Sequence, residues 1–325
     1  MAMINLLALE PHKVSKDLGG YLTYIYGAAK SGKTTLGSKM PRPIILAAEK
    51  GYNALPGVIA QDITTWGEMR QVYRELKKPE VRERFDSVIV DTIDIMSDLC
   101  QKYVCTQNNI SSLSELPYGN GWVLFKNEFS EVFRGLTQLG YAVLFIGHEK
   151  EQAIGDDDNK KLIIRPALTA TTRSIIVGMC DIIGYAHQKG ANQMSVLTLR
   201  SANDTIVCGS RFKYMPTEIT LGYDNLVKAL SDAIDKEAEE TNGQFVTTER
   251  NQAQINITTY DYDKLMREFS EISNALVEKD DAFYKPRITQ VIDKIFGKGK
   301  KIADATLEQA ELIYLVIEEI KATLM

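Results

Sequence analysis

The stretch GAAKSGKTT, residues 27–35, constrains this chain more than any other part of it. It follows YLTYIY, a strand-like run, and precedes LGSKM, where a helical pattern beginning at Thr34 is stopped near Met40 by Pro41 and Pro43. Gly27, Gly32, Lys33 and Thr34 fall on the spacing G-x-x-x-x-G-K-[ST]. Glycines let the backbone close around an anion and aim its N–H groups inward. Lys33 can reach the β and γ phosphates of a nucleotide, and Thr34 can place its hydroxyl on Mg²⁺. The following helix turns its positive end toward the phosphates. Gly27, Ala28, Ala29, Lys30, Ser31, Gly32, Lys33, Thr34 and Thr35 therefore read as a nucleotide-phosphate loop. Such a loop obliges the chain to supply a metal carboxylate, a water activator and a group that responds to hydrolysis.

Three strand ends offer them. SVIVDT puts Asp91 at the carboxyl end of an apolar strand, where ligands bind in open α/β sheets. Its carboxylate is expected to hold magnesium together with Thr34, although Asp also suits a helix N-cap. PIILAAEKG puts Glu49 directly after another strand, placed to orient and deprotonate water. VLFIGHEK ends a further strand at His148, a candidate γ-phosphate sensor. Taken singly, Glu49 reads equally as a solvated acid in a tight turn, and His148 as a capping residue.

Apolar runs and helical patterns alternate through the first two thirds. Strands are expected at 21–26, 43–49, 87–91 and 141–148, and helices around Met69–Leu76, Ile93–Tyr103 and Trp122–Leu139. The alternation predicts an α/β fold with a mostly parallel central sheet. CDIIGYAHQKGANQMSVLTLR reads as a late antiparallel hairpin around a KGAN turn. KEAEETNGQFVTTERNQAQ is polar and without period, and helical patterns resume after it. The expected domains are a core over 1–230, a polar linker over 231–257 and a small helical C-terminal domain over 258–325.

A net charge of -5 argues against a surface wrapped in nucleic acid, so any such contact should be local. Cys100, Cys105, Cys180 and Cys208 form no C-x-x-C pair and read as free thiols of a reducing cytoplasm. No signal-peptide pattern and no membrane-length apolar run is visible, so a cytoplasmic location is expected.

The order of these features resembles the RecA-like recombinase and hexameric-helicase core, across roughly residues 20 to 220: the P-loop after the first strand, Glu49 after the second, Asp91 after the third and His148 after the fourth. Within that group YGAAKSGKTTL, LAAEKG, VIVDTID, the Tyr118-Gly119-x-Gly121 turn and FIGHEK are similar to phage-encoded RecA-like P-loop ATPases of the AAA family, of the Sak type, associated with single-strand annealing and recombination. The resemblance implies ATP and Mg²⁺ as cofactors, with Glu49 activating water and His148 as sensor. It also implies a homo-oligomer with nucleotide at the subunit interfaces, single-stranded DNA as partner and a phage single-strand-binding protein as a further one. In such oligomers a neighbouring subunit supplies cations to the γ-phosphate. Arg211 and Lys213 in RFKYMP have the spacing for this, in reversed order, which leaves open which one acts.

Two loops are candidates for DNA. PYGNGW (117–122) carries aromatics and glycines. EKEQAIGDDDNKKLIIRPALTATTR carries Lys160, Lys161, Arg165 and Arg173, opposed by Asp156, Asp157 and Asp158, and its DDDNKK tip reads equally as a solvated hairpin turn. GKGKK (297–301) reads as a helix–helix turn with solvated lysines, a DNA contact or a partner surface. Two other functions compete: a P-loop kinase, for which no arginine-rich lid is visible, and an ATP-gated adaptor or helicase loader without DNA-dependent hydrolysis. No guanine-reading NKxD-like motif is seen, so ATP is expected over GTP.

Overall fold

In the computed structural model the described residues are 10–154, 161–190, 194–201, 205–250 and 260–324. They divide into two compact units, one within Ile4–Ile255 and one within Asn256–Met325. The first opens with β1 (Val14–Ser15), β2 (Leu22–Gly27) and the short helix α1 (Lys33–Gly37), then β3 (Pro43–Ala47) and β4 (Ala60–Asp62). Next come α2 (Trp66–Leu76), α3 (Pro79–Arg84), β5 (Ser87–Asp91), α4 (Ile93–Gln107) and α5 (Asn120–Gln138). β6 (Ala142–Ile154), β7 (Lys161–Pro166), α6 (Ala170–Met179), β8 (Ile182–Gln188) and β9 (Ser195–Thr198) follow. β10 (Gly209–Ser210), β11 (Glu218–Thr220), α7 (Tyr223–Ala238) and β12 (Val246–Thr247) complete the unit.

The main sheet runs β11-β9-β8-β2-β6-β5-β3-β4. β4, β3, β5, β6, β2 and β8 are mutually parallel, and β8–β9–β11 form the late antiparallel part. The parallel strands are continuous apolar runs because both faces are covered. On one face Trp66 and Met69 of α2, Met96 of α4, Phe125, Phe129 and Phe133 of α5 and Ile176 of α6 pack with Tyr24, Val88, Val90 and Phe145. On the other, Leu36 of α1 and Leu226, Leu230 and Ile234 of α7 pack with Ile25, Ile45, Ile89, Leu144 and Ile146. Each buried aromatic contributes about 2–3 kcal/mol by removal from water, so the phenylalanine column of α5 is a main tie between helix layer and sheet.

The fold class is as expected, and the differences are local. The helix after the phosphate loop ends at Gly37, and α4 continues to Gln107. β6 does not stop at His148. It runs on to Ile154 and pairs antiparallel with β7, so the expected loop is a β-hairpin, with Lys161 and Arg165 on β7 and Arg173 on α6. Lys160 and Asp156–Asp158 lie outside the described residues, as do residues 191 and 192 of the KGAN turn and 251–257 of the expected linker. α7 passes through the expected boundary at residue 231, because Leu230, Ala233 and Ile234 continue its buried face. β12 then pairs parallel with β1, so the start of the polar stretch belongs to the first unit. RFKYMP is a turn after β10.

The second unit is helical: α8 (Tyr262–Lys279), α9 (Asp281–Phe296) and α10 (Ala310–Leu324) close over Leu265, Leu276, Ile288, Phe296, Ile313, Val316, Ile317 and Ile320. Among the described residues no helix is long and apolar enough to cross a membrane.

Candidate functional site

Strand register assembles the site. Gly27 at the end of β2 pairs with His148 on β6, and Asp91 at the end of β5 pairs with Ile146 on β6 and Ala47 on β3. Four strand ends thus meet at the carboxyl edge of the sheet. β6 lies between the strand of the phosphate loop and the strand of Asp91, which puts His148 between them. The amide of Ala48 donates to the carbonyl of Asp91 at 2.7 Å, and this holds the following Glu49 near the same edge. A cavity of about 350 Å³ opens here, lined by Ala29 through Thr35, Glu49, Lys50, Gly51, Asp91 and His148.

Gly27 and Gly32 both have positive φ, 154° and 97°. A Cβ on Gly27 would lie 2.0 Å from the carbonyl oxygen of Ala186, so no other residue fits between β2 and β8 at that point. The Nζ of Lys33 folds back on the loop and donates to the carbonyls of Gly27 at 2.9 Å and Ala28 at 2.7 Å. Burial lowers its pKa, with Asp91 and Glu49 acting in the opposite direction. Thr34 Oγ1 donates to Asp91 Oδ2 at 2.7 Å. Burial pushes the Asp91 carboxyl up to about 6, against the hydrogen bond from Thr34. Asp91 Oδ1 is buried and has no hydrogen-bond partner among the described residues. The Asp91–Thr92 peptide is cis.

His148 sits between two carboxylates. Its Nδ1 is 2.6 Å from Asp94 Oδ2 and its Nε2 is 3.5 Å from Glu49 Oε1. The hydrogen bond to Asp94 raises its pKa, with burial opposing. Asp94 lies in the first turn of α4, and its Oδ1 is also buried without a partner among the described residues.

Sequence reasoning missed two of these residues. Asp94 is visible in VDTID, but an acid in a first helical turn is ordinary on dipole grounds alone. Gly51 is the other: a Cβ there would lie 3.0 Å from Thr34 Oγ1 and 3.3 Å from Asp91 Oδ2. The glycine of EKG thus keeps the Thr34–Asp91 pair uncrowded. Arg211 and Lys213 are not in this cavity. Ser210 pairs with Ile182 at the start of β8, whereas Gly27 pairs with Ala186 four residues later, about 13 Å up the strand. Arg211 contacts Asp181 at 3.4 Å, and Lys213 contacts Glu240 at 2.6 Å.

Residues 20–212, more than half of the chain, match the AAA domain family. The chain belongs to that family. It is a P-loop ATPase of the AAA type, with the phosphate loop and strand-end residues described above inside the matched span. The AAA-domain chain is 27% identical over 317 residues to the SPbeta prophage-derived uncharacterized protein YorG of Bacillus subtilis (strain 168), with 95% of each chain covered. Among solved structures it is similar to the RadB recombinase, at 17% identity and a TM-score of 0.36, covering 57% of this chain and 84% of that one.

Proposed function

We propose that this AAA-type ATPase is phage-encoded and hydrolyses ATP to drive DNA recombination on single-stranded DNA, as a cytoplasmic homo-oligomer with nucleotide at its subunit interfaces. The phage origin is supported by the full-length similarity to the prophage-derived relative. The observation that carries the reading is the position of His148. It stands in the phosphate-loop cavity beside Glu49, and it is also where β6 leaves the parallel sheet to become the β6–β7 hairpin. One strand therefore links the phosphate-loop cavity to the hairpin. Lys150 and Arg165 face each other across that hairpin, on the side of the strand that His148 occupies, as the two-residue period requires. Tyr118 is fully exposed, at 101%, at the N-terminus of α5, with a positive φ of 57°. Cations on the hairpin would follow a phosphate backbone, and Tyr118 would stack on bases.

The residues present fit ATP and Mg²⁺. The Thr34–Asp91 pair has an unused carboxylate oxygen, and Gly51 leaves the pair uncrowded. Thr34 and Asp91 would hold the ion, whose charge offsets that of the phosphates. In this reading Lys33 leaves the carbonyls of Gly27 and Ala28 for the β and γ phosphates, while the loop amides cradle the chain. Glu49 takes the proton from water as its oxygen bonds the γ-phosphorus and the bond to the β–γ bridging oxygen breaks, releasing ADP and phosphate, and His148, held by Asp94, senses the γ-phosphate. Arg211 or Lys213 reaches a neighbour's site. Neither lines the cavity of its own chain, as a trans-acting cation requires.

The test is Mg²⁺-dependent ATP hydrolysis with and without single-stranded DNA. A several-fold rise with DNA, lost in Lys33→Ala and Glu49→Gln, supports the proposal. Hydrolysis indifferent to DNA would overturn it in favour of an ATP-gated adaptor.

A further inference from the structure

The ATPase reading uses nothing from the second unit, yet charge there is strongly segregated. Residues 285–301 carry six Lys or Arg and one acid, Asp293. The rest of 260–325 carries four basic and twelve acidic residues. An acidic unit thus concentrates its cations on one helix and the turn after it.

On α9, Phe283, Arg287, Gln290 and Lys294 are exposed at spacings of four, three and four, which places them on one face. The row extends about 16 Å along the helix from Phe283 to Lys294, and Lys298 follows in the turn just beyond the helix. Phe283 is 44% exposed, and the Arg287 guanidinium lies 3.6 Å from its ring centroid. At the other end, Gly297 and Gly299 have φ of 100° and 80°, so the chain turns tightly and presents Lys298, Lys300 and Lys301 together. The amide of Gly299 donates to Asp293 Oδ1 at 2.8 Å, which occupies the one acid in the segment and fixes the turn. Ile302 is buried directly after the lysines and anchors them to the helical core. Two other cations already have acidic partners, Lys294 with Glu319 and Lys285 with Asp281. Lys298, Lys300 and Lys301 are exposed and contact no carboxylate within salt-bridge distance among the described residues. A row of cations alone would suit any polyanion. A half-exposed aromatic already stacked with an arginine, in line with those cations, suits a strand whose bases are unpaired.

We propose that the exposed face of α9 and the Gly297–Lys301 turn form a second nucleic-acid site. The lysines contact the phosphate backbone, and Phe283 with Arg287 stacks on unpaired bases. This site goes beyond the ATPase reading, needs no nucleotide and lies in the unit outside the AAA match.

The test uses the full chain without nucleotide and measures fluorescence anisotropy of a labelled oligo-dT strand across a salt series. A duplex of equal length and labelled poly-glutamate serve as the other arms. In the Lys298→Ala, Lys300→Ala, Lys301→Ala triple variant, the slope of log Kd against log salt should fall by about 2, at roughly 0.7 for each single-strand phosphate contact released. Phe283→Ala should weaken single-strand binding about ten-fold and duplex binding less. Thermal melting confirms that both variants fold, and Lys298→Glu serves as a second charge variant on the exposed turn. Unchanged affinity and slope in the triple variant would overturn the site. Loss confined to poly-glutamate would overturn the nucleic-acid assignment. Equal loss on the duplex with Phe283→Ala silent would overturn the stacking role. Failure here leaves DNA-stimulated hydrolysis untouched, and the reverse holds, because the two readouts share neither residues nor nucleotide.

Discussion

Asp91→Asn should stabilise the magnesium-free, nucleotide-free protein while abolishing its magnesium-dependent hydrolysis. Asp91 is 1% exposed, and this burial drives its carboxyl from the ordinary 3.8 to about 6. The Thr34 hydrogen bond, Lys33 and His148 pull the other way, and the charge of Glu49 adds to the rise. Between those two values the folded chain keeps a proton that the unfolded chain has released. Stability from this group is therefore greatest below pH 4 and is lost as pH climbs to about 6. At about 1.4 kcal/mol for each pH unit, the full loss is about 3 kcal/mol. Asn carries no charge at any pH, and its amide oxygen can accept from Thr34 as the carboxylate does. The stability gap between variant and parent should be small near pH 4, open between pH 4 and 6, and reach about 2–3 kcal/mol at pH 7.5. Urea denaturation in EDTA across that range measures it. A gap that is flat with pH, or a variant less stable than its parent at pH 7.5, would refute the reasoning. Either result would mean that the surrounding cations hold Asp91 ionised despite its burial.

Asp94→Asn should lower the pH at which His148 titrates, because the hydrogen bond to Asp94 is the first cause of its raised pKa. An unmoved His148 titration by NMR would show that Asp94 does not govern it. The same variant should lose about ten-fold in hydrolysis rate if Asp94 positions His148, as supporting residues of a site commonly do. Gly51→Ala brings a methyl to 3.0 Å from Thr34 Oγ1 and should weaken magnesium-dependent nucleotide binding about ten-fold, while magnesium-free binding in EDTA stays near its parent value. A titration showing equal loss with and without the ion would place the damage in the loop backbone instead. Arg211→Ala and Lys213→Ala should each be assayed alone and mixed with Lys33→Ala. Only a trans-acting cation yields two inactive variants that regain hydrolysis on mixing, and a mixture without recovery excludes the trans role for that residue.

The parallel sheet was legible because strands covered on both faces must be apolar throughout, and Ile44–Ala47, Val88–Val90 and Val143–Ile146 are. The phosphate loop was legible because its chemistry needs fixed residue types at fixed spacing. Glu49, Asp91 and His148 could be picked out as polar residues at the ends of such strands. The convergence of His148 on both Glu49 and Asp94 could not, since it depends on which strand lies between β2 and β5, and strand order leaves no local mark. A hairpin turn at DDDNKK could be read, but the length of its strands could not, because Glu149, Lys150, Glu151 and Gln152 carry no apolar alternation; their pairing is set by β7 and not by a buried face. The polar stretch begins later than its charge suggests, because Leu230, Ala233 and Ile234 keep the helical interval.

The nucleotide-free site is largely satisfied by its own residues, and this bears on how a nucleotide would act there. Lys33 bonds to two loop carbonyls, Thr34 bonds to Asp91, and His148 is held by Asp94 with Glu49 3.5 Å away. Each of these contacts occupies at least one group that the proposed mechanism assigns to phosphate, metal or water. Binding must therefore exchange contacts rather than add them, and its net free energy is the difference between two well-paired states. The exchange is unequal across the site. Lys33 and Thr34 give up bonds within a single loop-and-strand neighbourhood. His148 links α4, through Asp94, to the strand that becomes the hairpin. A γ-phosphate that draws the imidazole away from Glu49 acts on that strand, whereas a diphosphate lacks the group to do so. The difference between the two nucleotides is therefore expected at His148 and along β6–β7, more than at Lys33. Hydrogen exchange of Lys150–Gln152 with ATP analogue against ADP is the place to see it, with protection that differs in the native chain and not in His148→Ala.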